Sequence, residues 1–362
     1  MKVLYPFLML AMVWQSTAQT ERYIISQQAS LRIVPRYQRW SQQGTMAFSE
    51  VSTGILLYYP LARTLGVSVS GSPASASGDI TRLDGMSDMQ VGVRYHVEGP
   101  DLVFTLGVNL PTGKKELTLD EFQTSVLLSS SIFNMQTPNF GQGLNVNPGV
   151  IWALPITEDF VAGVGVSYQY KGTLKPLQGI GEYDPGDEIA LTGGFDWRVV
   201  EAGSLSGDVV FTSYGTDKLG GNEVFASGNR VLSILQFNEA FGSDELRILA
   251  RFRSRAKSSL AIGGVLVKEE DKIEPDQYQV QASYLFRLND QVSARLIGEG
   301  NFFQTTQAAL SGARLAGIGL APQITISSSL SLPLAMEYQF GRLKDDERLT
   351  GIEVSAGLIV RF

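Results

Sequence analysis

The chain has 362 residues, with 29 Lys and Arg against 36 Asp and Glu, one His and no Cys, and its formal net charge is −7. The absence of cysteine excludes disulfide frameworks and Cys-ligated zinc, and a lone histidine argues against a His-ligated metal or a His-dependent catalytic triad. The acidic balance without a basic tract argues against a nucleic-acid partner, and nothing in the composition indicates a cofactor.

The N-terminus has the pattern of a secretory signal peptide. Lys2 precedes an apolar run over residues 3–13, and Ser16-Thr17-Ala18 supplies small residues for cleavage. The run is shorter than the ~20 residues of a membrane-spanning helix. We predict a signal peptide over residues 1–18 and an exported domain over 19–362, with an uncleaved membrane anchor as the alternative.

Beyond residue 20, apolar and polar residues alternate over stretches of about ten residues, which predicts long β-strands. Leu102, Phe104 and Leu106 share one face, whereas Thr105 and Gly107 share the other. The same alternation recurs at 160–171, 277–287, 330–340 and 352–362. Strands of a soluble β-sandwich are shorter, at ~5–6 residues. We therefore predict an all-β fold, a single antiparallel transmembrane β-barrel.

Connection lengths predict the strand number and the orientation of the barrel. Short turns are expected near 60–63, 99–100, 155–157, 201–203, 242–244, 289–290 and 328–329. Longer polar stretches fall at 73–85, 111–143, 173–185, 216–227, 258–274, 305–312 and 342–349. Bacterial barrels have short periplasmic turns and longer external loops. About sixteen strands follow, with fourteen as the alternative.

Several short motifs resemble those of a known family. They are Gly85-Met86-Ser87-Asp88, Gly92-Val93-Arg94-Tyr95, Leu110-Pro111-Thr112-Gly113, Gly141-Gln142-Gly143 with Pro148-Gly149, and Asp184-Pro185-Gly186-Asp187-Glu188. In this order they resemble a block of the outer-membrane barrels associated with meta-pathway phenol degradation, relatives of the long-chain fatty-acid transporters. The resemblance covers about the N-terminal half and implies passive uptake of small, often apolar or aromatic compounds. Residues 19–29 are too short for the N-terminal hatch of the fatty-acid transporters.

The longest predicted loop, 111–143, has a helical pattern. Thr118 and Glu121 form a capping box, and apolar residues follow at helical spacing. We predict that this helix folds into the barrel and narrows it, or alternatively that the loop is an external lid. The candidate constriction residues are Thr118, Asp120, Glu121, Phe122, Val126 and Phe133.

Basic residues follow one parity on a later strand. Arg247, Arg251, Arg253, Arg255 and Lys257 alternate with Leu246, Ile248, Ala250 and Phe252. Because Arg or Lys facing lipid near the midplane costs ~2–4 kcal/mol, the basic residues are expected to line the lumen. The same parity rule adds Arg295, Glu299 and Glu337. Either these cations attract anions, or they pair with lumen carboxylates or with Glu116, Asp120 and Glu121 of the loop.

An earlier strand also presents polar residues to the lumen. Asp88, Arg94 and His96 share one parity, and Asp88 and Arg94 are expected to form an ion pair. His96 is the only histidine, and no Ser-His or phosphate-loop arrangement accompanies it. We therefore expect neither an enzyme nor a metal site.

The chain ends on an aromatic residue in an alternating strand. Phe362 resembles the terminal signal of outer-membrane barrels, which implies the barrel-assembly machinery as a partner. The sequence thus predicts a channel in the outer membrane of a Gram-negative-type bacterium, in contact with lipid, for passive uptake of small hydrophobic or aromatic molecules. The alternatives are a general or anion-preferring porin, and a barrel enzyme or structural barrel with a plugged pore.

Overall fold

A computed structural model describes residues 28–43, 46–99, 101–138, 140–308, 310–344 and 346–362. The predicted signal peptide, residues 1–18, lies outside the described residues.

The described elements are almost all strands. They are β1 (Ser30–Gln42), β2 (Met46–Ala62), β3 (Leu65–Gly71), β4 (Pro73–Gly78), β5 (Leu83–Met86), β6 (Met89–Val97), β7 (Leu102–Leu110), α1 (Leu119–Leu128), β8 (Asn145–Pro155), β9 (Phe160–Lys171), β10 (Tyr183–Asp184), β11 (Glu188–Val200), β12 (Gly203–Tyr214), β13 (Thr216–Leu219), β14 (Asn222–Ala226), β15 (Arg230–Phe241), β16 (Asp244–Arg255), β17 (Ser259–Ile262), β18 (Val265–Lys268), β19 (Gln277–Arg287), β20 (Val292–Phe303), β21 (Arg314–Ser327), β22 (Leu330–Arg342), β23 (Arg348–Ala356) and β24 (Leu358–Arg361).

Nineteen of these segments form one antiparallel sheet. Three pairs, β3 with β4, β5 with β6 and β23 with β24, each continue as one barrel strand across a short interruption, which gives sixteen strands. The last strand pairs with the first, with Ser30 opposite Arg361 and Arg36 opposite Ser355. The sheet is therefore closed and has no free edge. The prediction of a sixteen-stranded barrel is confirmed.

The seven predicted short turns each connect two neighbouring barrel strands. The hairpin between β15 and β16 is the tightest kind, with Gly242 at φ 63°, a left-handed conformation that glycine adopts without a Cβ clash. Both described chain ends lie at this end of the barrel, because Ser30 lies opposite Tyr58, next to the turn between β2 and β3, and Phe362 N donates to Ala29 O at 3.0 Å.

Four of the predicted loops contain strands, and one of them, 173–185, contains the two-residue strand β10. Residues 73–85 were expected to be a loop, but β4 and β5 occupy most of the stretch and pair with each other. In the stretches 216–227 and 258–274, β13 with β14 and β17 with β18 form hairpins. Together with β10 they make a second, five-stranded sheet outside the barrel, in the order β10-β13-β14-β17-β18.

The wall has two chemically different faces. On β2, Val51, Ile55 and Leu57 are exposed on the outer face, whereas Glu50 and Ser52, which alternate with them, are almost fully buried. The same outward exposure of large apolar side chains recurs around the barrel, as a lipid-facing surface requires.

None of the described helices has the length and apolar character needed to cross a membrane.

Candidate functional site

The arginines of β16 lie on the inner face, but β16 ends at Arg255, two residues before Lys257. Arg253 and Arg255 bind the same carboxylate, Glu274, at 2.7 and 2.9 Å. Glu274 belongs to the long connection between β16 and β19, so this external segment folds back over the end of the ladder. Lys257 lies beyond the strand and donates to Glu270 O instead. The basic ladder is therefore four residues long.

The other two ladder arginines lie deeper in the barrel. Arg247 donates to the neutral amide oxygen of Gln236 at 2.5 Å. Arg251 makes no hydrogen bond or ion pair with any described residue, and it lies opposite Gln279 of the neighbouring strand. Arg247 and Arg251 are thus the ladder arginines without an ion pair in the described structure, and Glu245 and Glu299 lie close enough to offset part of their charge.

Acidic residues share the inner face a few strands further round. Arg295 pairs with Glu245 at 3.4 Å, and Glu299 accepts from Asn301 at 3.1 Å. Glu337 lies directly opposite Glu353, which pairs with Arg36 at 3.2 Å. A Cβ on Gly317 would lie 2.7 Å from Glu299 Cγ, so glycine at that position leaves room for the carboxylate. Glu274 therefore pairs with Arg253 and Arg255, and Glu245 pairs with Arg295. The alternative, in which Glu116, Asp120 or Glu121 of the loop pairs with these arginines, is wrong.

The loop 111–143 contains the predicted helix. Thr118 Oγ1 accepts from Glu121 N at 3.3 Å, and Glu121 Oε2 accepts from Thr118 N at 3.0 Å, which completes the capping box of α1. Asp120 adds a second acidic residue to the first turn, where the helix dipole favours negative charge. Glu121 also pairs with Lys114 at 2.5 Å.

One face of the loop packs against the inner face of the wall. Phe122 and Phe133 are completely buried, and Val126 packs at the edge of the same cluster. Phe133 makes edge-on ring contacts with Trp40 of β1 at 5.5 Å and with Phe48 of β2 at 5.0 Å. The apolar side chains that gave the loop its helical pattern therefore bury themselves against the barrel.

Backbone groups of the loop tip bind polar side chains of β1 and β2. Trp40 Nε1 donates to Phe133 O at 3.0 Å, and Gln38 Oε1 accepts from Gln136 N at 2.8 Å. Glu50, which is fully buried, accepts from Thr137 N at 3.0 Å. A Cβ on Gly54, at the middle of β2, would lie 3.5 Å from Gln136 Nε2. The tip of the loop thus reaches half-way along the inner face of β2.

Asp88 holds both ends of the loop, a role that the sequence did not reveal. Its carboxylate accepts from Gly113 N at 2.7 Å, from Gln142 N at 2.5 Å and from Asn109 Nδ2 at 3.1 Å. Asp88 forms no ion pair with Arg94, so that expectation is wrong. Arg94 is exposed instead. His96 Nε2 lies 3.8 Å from a carboxylate oxygen of Asp101, in the turn that follows β6.

A charged cluster lies where the inner face meets the external sheet. Lys171 pairs with Glu188 at 2.6 Å, and Arg255 lies 5.0 Å from the centre of the Tyr214 ring. Asp217 of β13 is buried, and its carboxylate accepts a hydrogen bond from the Tyr183 hydroxyl. Burial is the larger effect and raises the pKa of Asp217 above its ordinary value.

No group of three or more His, Cys, Asp or Glu in the described part of the chain has an arrangement that could hold a metal ion.

No protein-family model and no curated protein sequence matches this chain. Among solved structures, it is similar to the CymD monoaromatic hydrocarbon channel, with a TM-score of 0.50 and 10% identity over 94% of this chain and 90% of that one. It is also similar to CdiB from Acinetobacter baumannii, with a TM-score of 0.54 and 10% identity over 92% of this chain and 60% of that one. At this level of identity the likeness concerns the fold: the chain is a β-barrel of the outer-membrane type.

Proposed function

We propose that this protein is an outer-membrane channel for the passive uptake of small molecules, and that it acts without catalysis. The observation that carries the proposal is a closed sixteen-stranded wall with a lipid-compatible outer face and a polar inner face. Conduction through such a wall requires no catalytic residue or cofactor, because the lining groups and the narrowest point set selectivity. Export by a signal peptide and insertion by the barrel-assembly machinery are part of the proposal.

The loop 111–143 is the proposed constriction. Its contacts with Gln38, Trp40 and Glu50, and the approach of Gln136 to Gly54, support a position inside the lumen rather than an external lid. Several hydrogen bonds and buried aromatic rings fix the tip. We therefore propose a permanent narrowing and not a plug that leaves the barrel.

Small hydrophobic or aromatic molecules are the first candidate solutes. The resemblance of the sequence motifs and the likeness of the fold to the CymD monoaromatic hydrocarbon channel support this class. A second candidate, small polar or anionic solutes, is favoured by a specific observation: Arg247 and Arg251 on the inner face have no ion pair in the described structure.

Single-channel recording of the refolded full-length chain tests the proposal. We expect discrete, voltage-independent conductance steps, and liposomes that contain the protein should take up small uncharged solutes faster than empty liposomes. A barrel that inserts but neither conducts nor raises solute flux would instead be the structural or plugged barrel of the alternative.

A further inference from the structure

A cleft at the external end of the barrel separates the loop 111–143 from the segment 172–187. It has an outer chamber of about 350 Å³ and an inner chamber of about 70 Å³. Lys114, Lys115, Gly141 and Leu174 line both chambers, so the two adjoin. At roughly 10–15 Å³ for each water-sized position, the inner chamber has room for more than one water molecule.

The charges around the cleft are nearly balanced. Three lysines and three acidic residues line the outer chamber. In the inner chamber, Lys171 binds Glu188 at 2.6 Å, and Asp217 accepts from Gly186 N at 2.7 Å and from the Tyr183 hydroxyl. Counted once each, four lysines and five acidic residues line the two chambers, so the cleft offers little excess charge to attract an ion.

Asn145 is the exception among the polar groups of the inner chamber. It is the first residue of β8 and is 3% exposed, yet its side-chain oxygen has no hydrogen-bond partner among the described residues. Its neighbour across the strand pair, Asn109, differs in this respect because it donates to Asp88 and to Gly143 O. A buried acceptor without a donor is unfavourable, and native proteins rarely keep one unless water or a ligand completes it.

Apolar residues form much of the remaining lining of the inner chamber, which also includes Lys114, Lys115, Ser125 and Gln142. Leu117 and Phe140 are buried, and Leu174, Pro176 and Pro185 complete the apolar lining around the polar end. A complementary molecule is therefore uncharged, has an apolar body, and carries a hydrogen-bond donor at one end.

We propose that this cleft is a capture site for small neutral solutes with an apolar body and one hydroxyl group, which donates to Asn145 Oδ1. The site deepens the proposed function, on which it rests for the claim that its ligand is a solute of the channel. The outer chamber supplies access from the exterior, and the nearly balanced charges disfavour organic ions.

Binding to the full-length protein in lipid nanodiscs tests the site, with benzyl alcohol as the probe. Ethylbenzene is the matched ligand, because it replaces the hydroxyl with a methyl group, and benzoate is the charged one. We expect saturation-transfer NMR to show benzyl alcohol binding about tenfold more tightly than either. Asn145→Leu should remove that preference, whereas Asn147→Leu, two residues along the same face of β8 and outside the cleft, should leave it unchanged. Asn145→Ala provides the same test if the Leu variant does not insert.

Equal binding of benzyl alcohol and ethylbenzene to the native protein, or an unchanged preference in both Asn145 variants, would overturn the capture site. The two proposals fail separately. Binding that depends on Asn145 in a protein that conducts nothing refutes the channel and supports the site, whereas solute flux without such binding supports the channel and refutes the site.

Discussion

At the scale of single residues, the alternation on β16 decides which side chains lipid contacts. Arg251 lies on the inner face and has no hydrogen bond or ion pair in the described structure, and the nearby carboxylate of Glu299 offsets only part of its charge. Its neighbour Ala250 lies on the outer face near the middle of the strand. The two positions therefore give opposite tests of the same strand.

We predict that Arg251→Gln inserts normally and shifts ion selectivity toward cations, because a fixed positive charge has left the wall. Ala250→Arg should instead impair insertion, by about 2–4 kcal/mol near the midplane. Reversal potentials in a salt gradient measure the first effect, and the heat-modifiable fraction on gels measures the second. If both variants insert equally well, the assignment of the two faces is wrong.

A second residue, Glu274, makes the external end of the ladder sensitive to acid. Its burial alone would raise its pKa, but Arg255 and Arg253 act against burial and hold the pKa below the ordinary value. A carboxyl group whose pKa is lowered by folding stabilises the folded form at neutral pH, and the stabilisation is lost as pH falls through the lowered pKa. The connection between β16 and β19 should therefore loosen in acid.

Glu274→Gln should produce that loosening at pH 7. Hydrogen exchange, corrected for the intrinsic rate at each pH, should show faster exchange in residues 256–276 of the variant and of the native protein in acid. Glu270→Gln, in the same connection but on an exposed residue, serves as the control. Native-like protection of this connection in Glu274→Gln at pH 7 would contradict the prediction.

At the scale of elements, the loop 111–143 decides the width of the lumen. Removing residues 118–135 should raise single-channel conductance, because α1 and Phe133 would no longer occupy space beside β1 and β2. Removing residues 259–268, the hairpin β17–β18 of the external sheet, should leave conductance nearly unchanged. If the second deletion has the larger effect, the narrowing lies in the external sheet and not in the loop.

The sequence predicts some of these elements far better than others. Strands such as β7, β9 and β22 have large apolar residues on one face and polar residues on the other, so their period of two is plain. In β4 the alternation involves only Ala and Ser, because Ala74 and Ala76 pack beneath the loop and no larger side chain fits. The stretch therefore resembled a polar loop.

The sequence does contain a signal for the hairpins of the external sheet. Gly220-Gly221 and Gly263-Gly264 have positive φ at both positions, as two-residue hairpin turns require. The second pair is also flanked by two short apolar stretches, 260–262 and 265–267. Nothing comparable in the sequence indicates which residues pair with the arginines of β16. Glu274 meets Arg253 and Arg255 only because a long connection folds back over the barrel, and residue spacing along one strand does not report such a contact.

At the scale of the whole molecule, closure depends on the pairing of the last strand with the first. Phe362 lies at this junction, where its backbone N donates to Ala29 O at 3.0 Å, but its side chain is 62% exposed. The ring therefore contributes little to packing within the chain. An effect of its removal on assembly in cells would report recognition by a partner rather than loss of stability.

We predict that deletion of Phe362 lowers the folded, membrane-inserted fraction in cells several-fold, while the purified chain refolds into detergent as well as the native one. Phe362→Trp, which keeps a terminal aromatic ring, should assemble normally in both settings. Heat-modifiable migration on gels measures the folded fraction in each case. An equal loss of refolding in detergent would mean that the residue stabilises the closed barrel itself, and normal assembly of the truncated chain in cells would mean that the terminal ring is not the assembly signal.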